Sequence, residues 1–143
     1  MEISNVMTKD PACCTADTGL QQVAQLMVDN DCGCIPVVDS ENSKMPVGML
    51  TDRDICCRVV AVGKNPLDLT AGEAMTSTVV SVPFNSSFED ACRLMEESKV
   101  RRIAVVDENG ALCGIIAQAD VAINAVDKAT AEVVQEVSKL AAG

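Results

Sequence analysis

The stretch Gly48-Met49-Leu50-Thr51-Asp52-Arg53-Asp54 decides the fold, because it returns 66 residues later as Gly114-Ile115-Ile116-Ala117-Gln118-Ala119-Asp120. Upstream, Pro36-Val37-Val38-Asp39 returns as Ala104-Val105-Val106-Asp107, with an offset of 68 residues. The offset changes between these matches, where the first copy has eight residues and the second has six. Such an insertion is tolerated best in a surface loop. The chain therefore contains two copies of one supersecondary unit, and such copies usually pack together.

Each copy predicts the element order β-α-β-β-α. Hydroxyl residues followed three positions later by Gln or Glu, at 18–21 and 86–89, predict two capped amphipathic helices. Short β-rich runs joined by turn residues then predict a hairpin, and Thr51 can cap a second helix that Gly63 ends. We expect an α/β (α+β) fold, with repeat 1 at residues 1–63, a linker at 64–73, repeat 2 at 74–126 and an amphipathic terminal helix at 127–143.

Composition narrows the classes of partner. The net charge is −10, and no basic cluster exceeds Arg101-Arg102, so duplex nucleic acid would be repelled. The aromatic fraction is 1%, which leaves almost nothing to stack on single-stranded bases. No apolar run approaches the roughly 18 residues of a membrane span, and the first residues do not resemble a signal peptide. We therefore expect no nucleic-acid partner, no membrane partner and a cytoplasmic location.

The chain has eight cysteines and no histidine. The missing histidine disfavours catalysis, because it removes the commonest general base. No cysteine pair has the Cys-x-x-Cys spacing of ordinary zinc sites, so we expect no metal site. Six cysteines align with aliphatic residues of the other copy, which predicts that they are small buried side chains. These six are Cys14, Cys32, Cys56, Cys57, Cys92 and Cys113. A redox role resting on Cys13, Cys32 and Cys34 is an alternative.

The repeated segments resemble the cystathionine-β-synthase (CBS) domain pair, also called a Bateman module. The resemblance covers Val6 to about Ala125 and includes the entrance segments Val6-Met7-Thr8 and Ala74-Met75-Thr76. It implies a pseudo-twofold pair of sheets with two clefts between the copies. In this family the clefts often bind AMP, ATP or S-adenosylmethionine, and two chains commonly form a disc-like homodimer. No permanently bound cofactor is implied.

Thr51 and Asp54 are the strongest candidate ligand-binding residues. Thr51 lies at a helix start, where unpaired backbone N–H groups attract an anion. Asp54 can accept two hydrogen bonds from a ribose diol, which is the role that the resemblance implies. The alternative is that both residues only cap the helix. The second copy keeps Asp120 but has Ala117 in place of the hydroxyl residue, so we rank the Asp54 cleft first.

Further residues complete the expected site. An arginine suits bidentate phosphate contact, and strand alternation should turn only one of Arg101 and Arg102 to a cleft; we favour Arg101. A salt bridge within the protein is the alternative role for these arginines. The apolar walls and the backbone contacts to an adenine are expected from Thr15, Ile35, Pro36, Val82 and Ala104. The acidic charge balance favours AMP or S-adenosylmethionine over ATP.

These observations predict a regulatory module that senses an adenosine-containing small molecule and is not an enzyme. We expect it to form a homodimer and to signal to an unknown protein partner. Two alternatives stay open. One is a scaffold that dimerises or docks on a partner without any ligand, and the other is a cysteine-based redox sensor.

Overall fold

The computed structural model describes residues 1–124, so the terminal helix expected at 127–143 lies outside the described residues. The first part of the chain contains β1 (Thr8–Lys9), β2 (Cys14–Thr15), α1 (Leu20–Asp29), β3 (Cys34–Val38), β4 (Pro46–Thr51), α2 (Asp52–Ile55) and α3 (Ala71–Ala74). The second part contains β5 (Ser81–Pro83), α4 (Phe88–Ser98), β6 (Arg102–Val106), β7 (Leu112–Ala117) and a helix at 118–124, here α5. Within this range the predicted α/β architecture with two β-α-β-β-α units is confirmed.

The two sheets have matching topologies. In the first, β2 runs parallel to β3 and β3 pairs antiparallel with β4. In the second, β5 runs parallel to β6 and β6 pairs antiparallel with β7. Each hairpin also has a register irregularity at the equivalent step, Val37/Val38 and Val105/Val106. The two halves therefore have the same strand pairing, including the same local irregularity in the hairpin register.

The segment that enters each repeat packs on the other half. β1 pairs antiparallel with β7, and Thr76 exchanges two backbone hydrogen bonds of 2.9 Å with Met49 on β4. A Cβ added to Gly114 would overlap Met7, and one added to Gly48 would overlap Met75. Two glycines in equivalent positions thus make room for two equivalent methionines. The exchange ties the halves together at two places.

Three apolar clusters form the core. The first half has its own cluster, to which Ala71 and Ala74 of α3 contribute. The second half has another, which includes Ile3 from the amino-terminal segment. A third cluster of Val38, Ala104 and Leu112 joins the halves, with Cys13, Met49 and Val79 packed against it. Among the described residues no polar or charged side chain is buried, so burial of small aliphatic side chains holds this part of the fold together.

The helix starts differ from the predicted ones by one residue. α1 begins after Gly19, which offers no side-chain cap, and Thr18 instead accepts a hydrogen bond from the Thr15 N–H at 3.1 Å. α4 is capped by Ser87, whose hydroxyl accepts from the Asp90 N–H, and not by Ser86. For α4 the adjacent Ser87 offers an alternative cap, and for α1 the Thr18 hydroxyl is engaged in the preceding turn, so the spacing alone placed both helix starts wrongly.

The burial predicted for the cysteines is wrong at three of six positions. Cys14 is buried and Cys92 and Cys113 are partly buried, but Cys32, Cys56 and Cys57 are exposed. The helical turns after β4 leave their outer face uncovered, and Ile123, which aligns with Cys57, is itself 59% exposed. The partners of Cys56 and Cys57, Ala122 and Ile123, are exposed as well, whereas Cys32 is exposed although its partner Val100 is partly buried. Alignment with an aliphatic residue therefore did not imply burial.

Candidate functional site

A cavity of about 370 Å³ lies between the two halves. Its volume is in the range of small-molecule sites. The amino-terminal segment and both halves all contribute to its wall. The lining residues are Thr8, Lys9, Asp10, Pro11, Asn30, Cys32, Gly33, Cys34, Arg102, Ile115, Ala117 and Asp120. Because its walls come from both copies, the cavity depends on how they pack together.

Asp120 joins the cavity from the first turn of α5. Its Oδ2 accepts a hydrogen bond of 2.8 Å from the Ala117 N–H, which fixes the carboxylate at the helix start. An ionised carboxylate has about four lone-pair sites, so this bond leaves acceptor capacity for a ligand hydroxyl. The sequence pattern favoured the cleft at Asp54 as the ligand site, whereas the cavity described here lies at Asp120.

Asp54 is held by the same kind of contact and by two more. Its Oδ2 accepts from the Thr51 N–H at 3.0 Å, while the Thr51 hydroxyl accepts from the Asp54 N–H at 3.1 Å, a complete capping box. Asp54 Oδ1 also lies 3.8 Å from Arg58 Nε, and the carboxylate is 17% exposed. The capping role that the sequence left open for Thr51 and Asp54 is therefore present in the fold.

The adjacent arginines are placed differently from the prediction. Arg102, at the start of β6, lines the cavity, whereas Arg101 precedes the strand and is exposed. The Arg101 carbonyl accepts a hydrogen bond of 2.8 Å from the Gln118 N–H, which holds that residue against α5. Only one of the pair reaches the cavity, as alternation predicts, but it is Arg102 and not Arg101.

The residues predicted as apolar walls lie inside the cores, as does Val82, which was predicted to offer backbone contacts. Ile35 and Val82 belong to the separate clusters of the two halves, Ala104 belongs to the cluster between them, and Pro36 is fully buried. These residues are not among those that line the cavity at Asp120. Thr15 lines a different cavity of about 410 Å³ beside α1. Strands buried on both faces leave little side-chain surface for a ligand, which explains the disagreement.

Thr8, Lys9 and Asp10 line the cavity but were not predicted as site residues. Thr8 ends the repeated entrance segment, Lys9 and Asp10 follow it, and the pairing of β1 with β7 brings them to the cavity. The repetition of that segment was the available signal, but it did not show that the segment crosses to the other half. With Arg102 and Asp120, these residues give the cavity two cations and two carboxylates.

The Cys34 thiol, one of two in the cavity wall, is not activated. Burial raises the pKa of the Cys34 thiol to about 11, and the neighbouring Arg102 lowers it only in part. At neutral pH this thiol is therefore protonated and a weak nucleophile. Among the described residues no group of three or more His, Cys, Asp and Glu side chains is placed to hold a metal ion. Nor does that part of the chain contain a helix with the length and apolarity of a membrane span.

Comparisons with known proteins agree with this fold. The family model for the CBS domain matches residues 3–60 and 71–126. The CBS domain-containing protein YhcV of Bacillus subtilis is 37% identical over 129 residues, which are 90% of this chain and 89% of that protein.

Two solved structures are similar across nearly their whole length. The crystal structure of Hypoxic Response Protein I with two coordinated zinc ions is 33% identical, with a TM-score of 0.73, covering 85% of this chain and 97% of that one. The CBS domain protein PAE2072 from Pyrobaculum aerophilum, complexed with AMP, is 26% identical, with a TM-score of 0.72, covering 84% and 89%.

Proposed function

Because the chain belongs to the CBS-domain family, we propose that it is a regulatory module, and not an enzyme, whose cavity between the halves binds an adenosine-containing ligand. The observation that carries this proposal is the cavity itself. It places a carboxylate at a helix start, Asp120, together with the guanidinium of Arg102. The first suits a ribose diol and the second suits a phosphate or carboxylate.

The AMP complex of a relative supports this class of ligand. PAE2072 shares the fold and is 26% identical to this chain. The charges of the cavity narrow the choice, since Lys9 and Arg102 face Asp10 and Asp120 in the same wall. That balance can neutralise one phosphate or one sulfonium-bearing amino acid better than a triphosphate. We therefore propose AMP or S-adenosylmethionine ahead of ATP.

Thermal unfolding with AMP, ATP, S-adenosylmethionine and adenosine tests the proposal. A ligand at 100 times its dissociation constant should stabilise the fold by about 2.7 kcal/mol. Asp120→Asn should remove most of this shift, because the amide oxygen can still accept from the Ala117 N–H while the second acceptor is lost. Asp54→Asn, the equivalent change in the other half, is the matched control and should keep the shift.

Three results would argue against this site. Loss of the shift only in Asp54→Asn would move the ligand to the cleft that the sequence ranked first. A shift that survives both variants would place it elsewhere. No shift with any of the four compounds would favour the second candidate, a ligand-free scaffold.

One observation favours the scaffold as a further or separate role. Val60, Val62 and Ile123 are more than half exposed, and they lie on the helical turns that follow β4 and β7. Exposed apolar side chains in the equivalent part of both halves suit an interface between two chains. We propose that the protein forms a homodimer through these turns.

A further inference from the structure

We propose that Cys32, Cys34 and Met49 form a binding site for monovalent copper, Cu(I), beside the cavity between the halves, which the two cysteines line. Two thiols and a thioether are soft ligands, which select Cu(I). The site contains only two cysteines and is completed by a methionine. It is separate from the nucleotide proposal, because none of these three side chains is needed to contact a ribose or a phosphate there.

The spacing of two of the sulfur atoms fits a shared metal ion. Cys34 pairs with Thr51 across β3 and β4, so Met49 is its diagonal neighbour on the same face. Cys34 Sγ lies 3.8 Å from Met49 Sδ. For metal–sulfur bonds of about 2.3 Å, two sulfur ligands lie roughly 3.8 to 4.0 Å apart at tetrahedral or trigonal angles. The fold therefore already holds this pair at a separation suitable for coordination.

Cys32 supplies the third sulfur. It lies two residues before Cys34, and its Sγ is 3.6 Å from the Cys34 carbonyl oxygen. Its side chain is exposed, whereas Cys34 and Met49 are partly buried. An exposed side chain can change rotamer at little cost. Cys32 would thus bind the ion first, from solvent. It would then change rotamer as Cys34 and Met49 join the coordination.

The surroundings suit a thiolate–copper complex. On binding, Cu(I) replaces the protons of both thiols, the protons pass to solvent, and the copper keeps its oxidation state. Two thiolates and Cu(I) carry one net negative charge. Arg102 and Cys34 line the same cavity, so the guanidinium can balance that charge. The partial burial of Cys34 and Met49 keeps competing water away from the bound ion.

The second half provides an internal contrast. The residues equivalent to Cys32, Cys34 and Met49 are Val100, Arg102 and Ile115, which contain no sulfur. We therefore expect one high-affinity ion per chain and not one per repeat. The site would make the two halves chemically different at a place where their backbones match.

Competition for Cu(I) under anaerobic conditions tests the site. Fully reduced, nucleotide-free protein should withdraw one Cu(I) per chain from a chromophoric bicinchoninate complex. Cys34→Ser should abolish this transfer. Met49→Leu, which conserves volume, should weaken the affinity by at least about tenfold. X-ray absorption of the loaded protein should show copper bound by sulfur alone, at three ligands.

The adjacent exposed thiols of Cys56 and Cys57 are the main competing site. The double variant Cys56→Ser/Cys57→Ser should therefore keep the high-affinity ion. Equal loss in Met49→Leu and the double variant, or unchanged binding in Cys34→Ser, would overturn the proposal. Tighter binding of Zn(II) than of Cu(I) would do the same. The nucleotide shift is measured on copper-free protein, so failure of either proposal leaves the other intact.

Discussion

At the scale of single residues, the repeated aspartate of each half caps the start of a helix. Asp54 and Asp120 both accept the N–H of the residue three positions earlier, at 3.0 and 2.8 Å. Thr51 returns a bond to Asp54, but Ala117 has no hydroxyl with which to do so. The two copies therefore keep the carboxylate for a local structural reason as well as for any ligand, and they differ by one hydrogen bond.

That difference predicts opposite effects of two substitutions. Thr51→Ala should lower the free energy of unfolding by about 1 kcal/mol, because the Asp54 N–H loses its acceptor. Ala117→Thr should raise it by up to about 1 kcal/mol by supplying the missing acceptor in the second half. Urea denaturation of the two variants measures both changes. A decrease for both would show that the second half does not accept the cap.

The buried thiol of Cys14 predicts a loss of stability in alkali. Burial, with a smaller contribution from Cys13, raises the pKa of this thiol from 9.0 to about 11. The fold thus favours the protonated form, and its stabilising effect is complete below pH 9 and lost as the pH rises through about 11. The difference is on the order of 2 kcal/mol.

Cys14→Val is the matched variant, because Val82 occupies the equivalent position with the same 6% exposure. The free energy of unfolding of this variant should fall less between pH 9 and pH 11 than that of the original chain. Urea titrations across this range give the comparison. Parallel curves for the two proteins would mean that the Cys14 thiol ionises as freely in the folded protein as in the unfolded one.

Sequence patterns predicted the roles of some single residues correctly and those of others wrongly. Thr51 was correctly expected to cap a helix, since one hydroxyl stands alone between a strand and an acidic turn. Thr18 and Ser86 are not the caps, since α1 starts after Gly19 without a side-chain cap and the neighbouring Ser87 caps α4. Arg102 reaches the cavity because it begins a strand, and the exact first residue of a strand is not encoded in the local composition.

At the scale of elements, the exchange of entrance segments is the feature that links the halves. Met7 fills the space above Gly114, Met75 fills the space above Gly48, and both segments add backbone hydrogen bonds to a strand of the other half. Each contact needs a glycine for close approach, which gives a packing reason for Gly48 and Gly114 in the repeated stretch.

A double-mutant cycle measures this contact. Gly48→Ala should destabilise the fold by about 1–3 kcal/mol, since the new methyl group meets Met75 and lies 3.0 Å from the Thr76 carbonyl oxygen. Met75→Ala should also destabilise it, through a cavity. The double variant should be less unstable than the two single effects added together. Strict additivity would show that Gly48 and Met75 do not share a contact.

The order of elements could be read from the sequence, but the exchange could not. Hydrophobic periodicity and turn residues are local signals, and they predicted both β-α-β-β-α units. The pairing of β1 with β7 joins residues more than 100 positions apart, for example Thr8 with Ile115. No local pattern distinguishes that partner from β4, which is also apolar and has a glycine at the equivalent position, so the cavity wall at Thr8–Asp10 was not predicted.

At the scale of the whole molecule, the exposed apolar turns predict association. Val60 and Ile123 are 58% and 59% exposed, one in each half. Val60→Asp and Ile123→Asp should each weaken dimerisation by placing a charge in an apolar contact. Sedimentation velocity over a range of concentrations measures the effect, and Glu41→Gln, on an exposed loop, is a control. A monomer at every concentration, before any substitution, would refute the proposed homodimer.

The crossing of the entrance segments also constrains the order in which the two cores can form during synthesis. The first half gains one piece of its core, α3 with Met75, from the segment that leads into the second half. Ile3 and Met7 pack with residues of the second half, beginning with Val82 and Ser86 and ending with Gly114 on β7. Ile3 and Met7 therefore remain exposed to solvent until the second half has emerged, and during that time chaperone capture and aggregation compete with folding.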